Sequence, residues 1–429
     1  MKWISKVLPL ILLAASAAYG NDTTHVKPRL RKAAPVEENG GITLPAGFKA
    51  VVVADSVGRA RHIVTAANGD LYVMLFRIKD GHGILRLRDT NNDGIADQTT
   101  AFGNYAGTGI TIKDGYLYAS SNKEVFRYKL NEKQEVINPE QPEKIVTGLI
   151  DRNTHNTKSL VLDNVGNIYV NIGAPSNACQ LEDRKKGSPS PYPCPLLDSV
   201  GGVWQFKADK LNQSYPEGIR YATGIRNIMG LDWNQTTNSL FAMQHGRDNL
   251  NSLFPEMYNE DESAELPAEE LFQINKGDDF GWPYCYFDWY QNKKVLAPEY
   301  GGDKKKEGLC ADKKKPVYAF PGHWAPNALM FYTGNQFPEK YRNGAFVAFH
   351  GSWNRAPKPQ AGYFVVFLPF KDGKPNGEYE IFADGFAGAS REPAKSRFRP
   401  CGLAQGPDGS LYISDDKKGR LWKVTYTKK

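Results

Sequence analysis

The stretch THNTKSLVLDNVGNIYVNIG, residues 154–173, contains the pattern that decides the fold. A polar run is followed by alternating apolar and polar residues from Val161, by turn residues at 164–166, and by a second alternating run that ends near Val170. Alternation with a period of two indicates β-strands, and Asn and Gly between the runs indicate a tight turn. The stretch therefore predicts a pair of strands, preceded by a polar loop that carries His155.

The same pattern, a turn followed by a short strand with aromatic or apolar residues at its centre, occurs six times. The copies are NGDLYVM (68–74), KDGYLYAS (113–120), NVGNIYVN (164–171), TNSLFAMQ (237–244), NGAFVAFH (343–350) and DGSLYISD (408–415). Similar units at irregular spacing predict six supersecondary units with unequal insertions. One such unit cannot bury its apolar face alone, whereas units arranged radially cover one another. The sequence therefore predicts an all-β, six-bladed β-propeller; the alternative is a β-sandwich, which needs fewer similar units.

The two ends of the repeat region predict how the ring closes. FKAVVVA, residues 48–54, is apolar and rich in β-branched residues, and the last repeat unit ends near Val424. We expect the early strand to pair into the final blade. The gap between the fourth and fifth repeats, residues 249–338, includes an acidic stretch (256–270) and a lysine-rich stretch (304–315). We expect both to form long surface loops over one face of the propeller.

The N-terminus has the features of a cleaved secretory signal. In residues 1–20, two lysines precede a short apolar core, and small residues end the segment. The core is too short to span a bilayer, so we expect no transmembrane segment; an N-terminal membrane anchor is the alternative. Residues 21–39 are predicted to be a flexible lead-in, and residues 40–429 a single propeller domain. The protein is therefore predicted to be periplasmic or secreted.

Charge and cysteine content limit the possible partners. Loss of the two leader lysines lowers the formal net charge from +7 to +5, which suits an anionic small ligand but is too diffuse to predict nucleic-acid binding. Five cysteines remain in a chain that is expected to reach an oxidising compartment. Sequence alone does not fix their pairing. The most economical arrangement pairs Cys179 with Cys194 and Cys285 with Cys310, and leaves Cys401 buried in a strand.

Two neighbouring motifs place polar groups around the fourth repeat. Arg226 and Asn227 stand just before it in RNIMGLDWN, where a guanidinium and an amide are able to face a ligand in the central channel. QHGRD follows the repeat, and its glycine allows backbone carbonyls to turn toward a cation. Each motif has a structural alternative. The arginine could bond a neighbouring loop carbonyl, and the glycine could serve a simple tight turn.

Two later motifs add basic and amide side chains. HGSWNR follows the strand of the fifth repeat and places His350, Asn354 and Arg355 at a blade edge. In RFRPCGL, Arg397 and Arg399 are two residues apart, so that on a strand they would share a face. Two guanidiniums on one face repel each other unless an anion lies between them. This spacing predicts a ligand with carboxylates or phosphates, and a solvated pair on an exposed edge is the alternative.

A further candidate site lies in DTNNDGIAD, residues 89–97, which has the spacing of a calcium loop. The usual glutamate at the twelfth position is replaced by Thr100, and the flanking residues resemble strands rather than helices. A second Ca²⁺ site and an Asx-rich hairpin turn are equally supported. The possible ligands are Asp89, Asn91, Asp93 and Asp97.

At these motifs the chain resembles the sorbosone/glucose dehydrogenase family, soluble quinoproteins that use pyrroloquinoline quinone (PQQ). The resemblance runs from about residue 44 to residue 424. It is carried by GIRNIMGLDW, KGDDFGWPYC, the run HWAPNALMFYTGNQFPEKYRNGAFVAFHGSWNR, and RFRPCGLAQGPDGSLYISDD. The chain looks closer to the sorbosone- and pyranose-dehydrogenase-like branches than to the classical soluble glucose dehydrogenase.

The resemblance implies an activity, its cofactors and its partners. It implies that PQQ lies over the central channel of a propeller and that the quinone chelates a Ca²⁺ ion. The implied activity is oxidation of a sugar or an aldose-like alcohol or aldehyde, with electrons passed to a separate acceptor such as a cytochrome or a quinone. A propeller binding module that has lost the cofactor and a metal-dependent lactonase are the alternatives.

The resemblance also implies roles for individual residues. His155 is the catalytic base, Arg226 stabilises negative charge that develops during the reaction, and the backbone carbonyls of Gly246 and Arg247 bind the Ca²⁺ ion. The residues implied to contact the cofactor are Asn227, His350, Asn354, Arg355, Arg397, Arg399 and Asp416. The chain departs from the glucose enzymes in three ways. Thr154 stands where they have an acid, Arg247 replaces a proline, and no lysine matches theirs.

Overall fold

The computed structural model describes residues 37–427, and these residues form a ring of six sheets. The four main strands of each sheet are antiparallel, and in two of the sheets a short edge strand adds in parallel. Each sheet is one blade, with its innermost strand at the central channel. The innermost strands of successive blades contact one another around the whole ring. The predicted six-bladed β-propeller is therefore confirmed.

The strands are numbered in chain order, beginning with the strand that closes the ring, β1 (Phe48–Ala54). Blade 1 consists of β2 (Ala60–Thr65), β3 (Leu71–Lys79), β4 (His82–Arg88) and β5 (Gln98–Phe102). Blade 2 consists of β6 (Ile110–Lys113), β7 (Tyr116–Ser120), β8 (Val125–Lys129) and β9 (Glu143–Thr147). Blade 3 consists of β10 (Leu160–Leu162), β11 (Asn167–Ile172), β12 (Gly202–Lys207) and, after a short β13 (Gln213–Ser214) that pairs with β9, β14 (Ile219–Thr223).

Blade 4 has the longest insertions between its strands. It consists of β15 (Ile228–Asn234), β16 (Ser239–Gln244), β17 (Glu269–Ile274) and β21 (Tyr318–Phe320). The helices α1 (Leu250–Leu253) and α2 (Glu260–Glu265) lie between β16 and β17. Between β17 and β21 lie β18 (Asp278–Asp279), β19 (Cys285–Asp288) and β20 (Lys293–Leu296).

Blade 5 consists of β22 (Pro326–Phe331), β23 (Ala345–Phe349), β24 (Phe364–Leu368) and β27 (Glu380–Ala383), with the small hairpin β25 (Phe370–Lys371) and β26 (Lys374–Pro375) between the last two. Blade 6 consists of β28 (Pro400–Gln405), β29 (Leu411–Asp415) and β30 (Leu421–Tyr426), completed by β1. Six short 3₁₀ segments occur at Glu38–Gly41, Pro195–Asp198, Tyr215–Glu217, Pro298–Tyr300, Gly308–Cys310 and Glu339–Tyr341.

Each of the six repeats identified in the sequence contains a turn and the second strand of a blade. They correspond to β3, β7, β11, β16, β23 and β29. These second strands are mostly buried, so they contain the nearly continuous apolar runs that make them easy to recognise in the sequence. The predicted strand pair around residues 160–172 is β10 and β11, in which Leu160 lies opposite Val170.

The ring closes as the sequence predicts. β1 pairs antiparallel with β30, with Phe48 opposite Tyr426 and Val52 opposite Trp422. Phe48 also packs edge-on against Phe337, with ring centroids 4.8 Å apart, so the N-terminal strand joins the aromatic core between blades 5 and 6. Pairing the two ends of the chain in one sheet removes two open strand edges.

The prediction of surface loops in the insertions of blade 4 is partly wrong. The acidic stretch 256–270 ends in Glu269 and Glu270, and both side chains are buried in β17 rather than exposed in a loop. Glu270 pairs with the buried ammonium of Lys294 at 2.8 Å. Acidic composition alone does not show that two of these carboxylates have buried partners.

The predicted disulfides are confirmed. Cys179 bonds to Cys194 and Cys285 bonds to Cys310, while Cys401 is a buried free thiol in β28. Such bonds form and persist in oxidising compartments, which agrees with the expectation of an exported protein. The predicted signal, residues 1–20, and most of the lead-in lie outside the described residues. Among residues 37–427, no helix is long and apolar enough to cross a membrane.

Candidate functional site

A cavity of about 680 Å³ opens at one end of the central channel. Its lining comes from the beginnings of the innermost strands β2, β10, β15, β22 and β28 and the segments before them, and from the second strands β3, β11, β16 and β23 or the segments that follow them; Glu269 of β17 also lines it. Every innermost strand of a propeller runs in the same direction along the channel, so their starting ends meet at one face. This topology brings together side chains from positions as far apart in sequence as Arg61 and Arg399.

His155 lies in the loop before β10 and lines this cavity. Its backbone has a positive φ of 53°, and its Nδ1 lies 2.6 Å from the carbonyl oxygen of Ala174. Because a carbonyl only accepts, Nδ1 carries the proton and Nε2 keeps its lone pair. Burial, together with the nearby Arg226 cation, lowers the pKa of His155 to about 3, so the imidazole is neutral near pH 7.

Arg226 and Asn227 enter the cavity just before β15, as the sequence predicts. The buried Arg226 guanidinium donates to the Gly246 carbonyl at 2.9 Å and to the Asp248 carboxylate at 2.8 Å. Its Nε is also buried and has no hydrogen-bond partner within the described residues. The side-chain carbonyl oxygen of Asn227 accepts a hydrogen bond from the side-chain amide of Asn171 at 3.3 Å.

Asp248 organises this side of the cavity, although sequence reasoning did not select it. Its carboxylate accepts from Arg226 and Arg184, each at 2.8 Å, and from the Asn354 amide at 2.7 Å. Burial alone would raise the pKa of Asp248, but Arg226, His323 and Arg184 together outweigh burial and hold that pKa well below its usual range. The sequence feature that could have identified Asp248 is its position two residues after the glycine of QHGRD, residues 244–248.

His350, Arg399 and Asp416 form a second polar group at the cavity wall. His350 Nε2 lies 2.6 Å from the Asp416 carboxylate, which also forms an ion pair with Arg61, whose Nε is 3.0 Å away. Burial opposes ionisation of Asp416, but the positive charges around it, including that of Arg61, hold its pKa well below the usual range. The Arg399 guanidinium donates to the backbone carbonyls of His350, at 3.1 Å, and of Gly351. Asp416 does not itself line the cavity, but it contacts His350 and Arg61, which do.

The side chains of Arg355 and Arg247 form their contacts outside the cavity. Arg355 donates to the Ala264 carbonyl at 2.7 Å and also bonds Glu265. The Arg247 side chain forms a buried ion pair with Glu299. Neither residue lines the cavity. For Arg355, adjacency to the site in sequence did not determine the direction of the side chain. For Arg247, the predicted calcium ligand is the backbone carbonyl, and the ion pair of its side chain does not test that prediction.

The expectation that Arg397 and Arg399 share a strand face is wrong. Both residues precede β28, and Arg397 turns outward to pair with Glu37 while its guanidinium stacks on Phe398 at 4.9 Å. Only Arg399 lines the cavity. Period-two reasoning fails here because the extended strand begins at Pro400, after both arginines.

The predicted calcium ligands fall into two groups, one at the cavity and one in the loop 89–97. Gly246 lines the cavity, and its carbonyl already accepts a bond from Arg226. In the loop 89–97, the carboxylates accept bonds from the loop's own backbone, for example Asp89 from Gly94 at 2.7 Å and Asp93 from Ile95 at 2.7 Å. No cluster of three or more His, Cys, Asp or Glu side chains suited to a metal occurs within residues 37–427. Residues 89–97 therefore have the hydrogen bonds of an Asx-rich hairpin turn, and the second Ca²⁺ site stays a prediction.

Several lining residues were not singled out from the sequence. They come from separate segments of the chain, and the fold brings them together at the cavity. His245 in QHGRD and Trp353 in HGSWNR stood within recognised motifs but were not selected there. The most notable are Arg61, Arg184, His245, Glu269, His323 and Trp353.

The fold is a six-bladed propeller, and arginines and histidines line the mouth of its central channel. A family model described as TrAA12-like matches residues 42–427, and the chain belongs to this family. A pyrroloquinoline quinone-dependent pyranose dehydrogenase from Coprinopsis cinerea is 28% identical over 286 residues, which cover 56% of this chain and 36% of that protein. A pyrroloquinoline quinone-dependent sugar dehydrogenase from Hypocrea jecorina is 22% identical over 419 residues, covering 89% of this chain and 90% of that one.

The solved structure of the Trichoderma reesei carbohydrate-active enzyme of family AA12, determined with calcium, has the same fold. It superposes with a TM-score of 0.72 at 19% identity, covering 90% of this chain and 97% of that one. The predicted membership of the PQQ-dependent sugar dehydrogenase family is confirmed by these relatives, and the enzyme class is that of an oxidoreductase.

Proposed function

We propose that this protein is an exported dehydrogenase that binds PQQ and Ca²⁺, oxidises a sugar-like hydroxyl or aldehyde group, and passes the electrons to a separate acceptor. The observation that carries the proposal is the meeting of His155, which has a free Nε2, with Arg226 in one cavity. Family membership and the PQQ-dependent relatives support the same chemistry.

The residues of the cavity fit a planar, polycarboxylate cofactor. Guanidinium groups of Arg61, Arg184, Arg226 and Arg399 line the cavity. Asp416, Asp183 and Asp248 form ion pairs with the first three of these arginines, and within residues 37–427 no carboxylate forms an ion pair with Arg399. The buried Nε of Arg226 has no partner in the described part of the chain, so it is available to a ligand. Buried unpartnered donors are costly unless a bound group satisfies them.

We assign the cofactor contacts to the predicted residues that line the cavity, which are Asn227, His350, Asn354 and Arg399, together with Arg226. Asp416 would act indirectly by holding His350. Arg355 and Arg397 are left out because their guanidiniums are engaged outside the cavity. PQQ, when bound, would supply the two-electron acceptor for the carbon atom that is oxidised.

His155 would take the hydroxyl proton of the substrate at Nε2. The bond from its Nδ1 to the Ala174 carbonyl holds the ring in the tautomer that this step requires. A pKa of about 3 makes the free imidazole a weaker base than an exposed histidine. Part of this lowering comes from the Arg226 charge, so an anionic ligand beside Arg226 would raise the pKa of His155 and strengthen the base.

Arg226 would stabilise negative charge that develops near it during oxidation. Its guanidinium is held rigidly because Asp248 and the Gly246 carbonyl both accept from it. Such fixed donors need little reorganisation when charge appears. Asp248 therefore serves the reaction by positioning Arg226.

The Gly246 carbonyl would be a protein ligand of the Ca²⁺ ion. The described residues offer backbone oxygen at this position and no cluster of acidic side chains, so the ion would depend on ligands from the cofactor itself. We expect Ca²⁺ and PQQ to bind together for this reason.

Reconstitution tests the proposal. The purified protein is incubated with PQQ and Ca²⁺, freed of unbound cofactor, and titrated with a panel of sugars and a dye acceptor while the visible spectrum is recorded. Retained quinone absorbance and sugar-dependent dye reduction are expected. A protein that retains no quinone and reduces no dye with any sugar would favour the cofactor-less binding module, and lactone hydrolysis without an acceptor would favour the lactonase.

A further inference from the structure

A chain of buried hydrogen bonds leads from the inserted hairpin of β19 and β20 to the backbone of Arg226. The Lys294 ammonium, in β20, donates to one oxygen of the Glu270 carboxylate at 2.8 Å, and the side-chain amide of Gln244 donates to the other oxygen at 2.8 Å. The side-chain oxygen of Gln244 then accepts from the backbone N–H of Arg226 at 2.8 Å. Lys294, Glu270 and Gln244 are each at most 5% exposed. We call these three side chains the relay.

The same chain of bonds continues from Arg226 to His155. The backbone carbonyl of Arg226 accepts from the Ala174 N–H at 2.8 Å, and the Ala174 carbonyl accepts from Nδ1 of His155 at 2.6 Å. The bond to His155 is the one that holds the imidazole in its tautomer. The buried side chains of the relay are therefore connected to both of the residues that the proposed reaction uses.

The carboxylate of Glu270 determines the orientation of the Gln244 amide. An ionised carboxylate only accepts hydrogen bonds, so the NH₂ group of Gln244 has to face Glu270 and its oxygen has to face the Arg226 N–H. Burial raises the pKa of Glu270, and the Lys294 ammonium opposes this rise and favours the ionised form. Lys294 therefore keeps Glu270 an acceptor and thereby keeps the amide of Gln244 in the orientation that binds Arg226.

The relay acts on the site only through the backbone, because none of its three side chains lines the cavity. Lys294 also donates to the Phe280 carbonyl at 2.7 Å, and within residues 37–427 Glu270 forms an ion pair only with Lys294. A buried ion pair is weak evidence for stability, because the cost of desolvation offsets the attraction between the charges. The pair has a clearer effect on the orientation of Gln244 than on stability.

We propose that the relay is a set of positioning residues for the oxidation, which hold the backbone of Arg226 and, through Ala174, the ring of His155. The hairpin of β19 and β20, which contributes no residue to the cavity, thereby serves the reaction because it carries Lys294. A guanidinium and an imidazole that are held in place beforehand need little reorganisation when charge develops and a proton moves. This inference rests on the proposed dehydrogenase function.

Removal of the ion pair as a unit separates positioning from stability. The double variant Glu270→Leu/Lys294→Met leaves neither charge of the pair without its partner, so its urea midpoint should stay close to that of the wild type, whereas Lys294→Met alone should lower the midpoint. The double variant should retain PQQ and lose about tenfold in kcat while the KM for its sugar stays within about twofold, because Arg226 and His155 act in the chemical step. An unchanged kcat would overturn the proposal.

Gln244→Met tests the relay at its other end, because it keeps the ion pair and removes the acceptor of the Arg226 N–H. It should reproduce the loss in kcat, and adding it to the double variant should cost nothing further, since all three side chains act through one contact. A second loss of similar size would overturn the relay. The control Asp70→Asn/Arg88→Met removes an ion pair of 2.6 Å in blade 1, outside the cavity, and should leave kcat unchanged. An equal fall in the control would count against the proposal.

Amide exchange tests the relay without turnover and so separates this inference from the proposed function. In protein labelled with ¹⁵N-arginine and without added cofactor, the Arg226 amide should exchange with deuterium about tenfold faster in Glu270→Leu/Lys294→Met than in the wild type, because its acceptor is no longer fixed. Equal exchange rates would overturn the relay even if the wild type oxidises sugars. A wild type that binds no PQQ and oxidises no sugar would refute the proposed function, and the exchange rates would still decide whether the relay holds Arg226.

Discussion

The guanidinium of Arg226 and the carboxylate of Asp248 form a buried ion pair at 2.8 Å that joins the start of β15 to the segment after β16. Arg184, from the loop closed by the Cys179–Cys194 disulfide, adds a second guanidinium to the same carboxylate. Three separate segments of the chain therefore depend on one acidic group. We therefore expect the loss of the Asp248 carboxylate to affect all three segments.

Replacing Asp248 by Asn should destabilise the protein by about 3–5 kcal/mol, because it leaves the buried charge of Arg226 without its partner. Urea unfolding at pH 7.5 measures the loss. Glu256→Gln is the matched control, since Glu256 lies 3.9 Å from Lys186 and both side chains are more than 60% exposed. The control should change stability by less than about 0.5 kcal/mol. Equal effects of the two substitutions would show that Asp248 has no special structural role.

His155→Ala should lower turnover by roughly 10²–10⁴-fold while PQQ remains bound, because it removes the proton acceptor and leaves the guanidiniums of the cavity in place. Steady-state kinetics and the visible spectrum of the reconstituted variant measure the two effects. His82→Ala, in β4 and outside the cavity lining, is the control for loss of an imidazole. Activity close to that of the wild type in the His155 variant would place the base elsewhere.

Chelation of Ca²⁺ should release PQQ from the reconstituted enzyme, because the ion would take ligands from both the cofactor and the Gly246 carbonyl. Quinone absorbance before and after EGTA, and after added Ca²⁺, measures this. Asp93→Asn should leave the Ca²⁺ dependence unchanged, since the Asp93 carboxylate accepts from the Ile95 N–H and from the Asn91 side-chain amide within its own turn. A shift in the Ca²⁺ requirement of this variant would restore the second calcium site in residues 89–97.

Loss of the Cys179–Cys194 disulfide, in the double variant Cys179→Ala/Cys194→Ala, should lower stability by about 3 kcal/mol for a loop of this length. It should also weaken PQQ binding, because the loop carries Arg184 to Asp248. The variant Cys285→Ala/Cys310→Ala opens a loop with a sequence separation of 25 that contributes no residue to the cavity. This control should lose stability and keep its PQQ affinity; a loss of affinity in both variants would contradict the role of Arg184.

Asp232 predicts a pH-dependent difference in stability. Burial raises the pKa of Asp232 to about 7, above its unfolded value near 4, so the folded protein binds the proton more tightly between these pH values. The wild type therefore loses this contribution as pH rises from 4 to 7, and Asp232→Asn does not. Urea unfolding at pH 5 and pH 7.5 should show that the variant gains on the wild type at the higher pH. A pH-independent difference would mean that Asp232 is ionised throughout.

Most of the fold could be predicted from the sequence because strand alternation and turn residues are local signals. All six repeats become second strands of blades, and FKAVVVA closes the ring as expected. The buried glutamates of β17 were missed, because an acidic composition was interpreted as exposure. Local composition does not reveal a partner such as Lys294, which lies 24 residues further along the chain.

The site was predicted less completely than the fold. The motifs identified segments that meet in the structure, since one cavity is lined by His155, Arg226, Asn227, His350, Asn354 and Arg399. The motifs did not determine side-chain direction, and Arg247, Arg355 and Arg397 each turn to partners outside the cavity. Asp248 and Trp353 stood within recognised motifs, but nothing in the sequence showed that one would collect several donors and the other would remain exposed.

The sequence by itself determined the number of blades, the closing strand and the segments that carry the polar groups, because these depend on periodicity and composition along the chain. Only the tertiary structure decided which of those polar side chains meet. The starting ends of the innermost strands converge at one end of the channel, and this geometry, not proximity in sequence, makes neighbours of His155, Arg226 and Arg399. The same convergence makes Asp248 the shared partner of Arg226, Arg184 and Asn354.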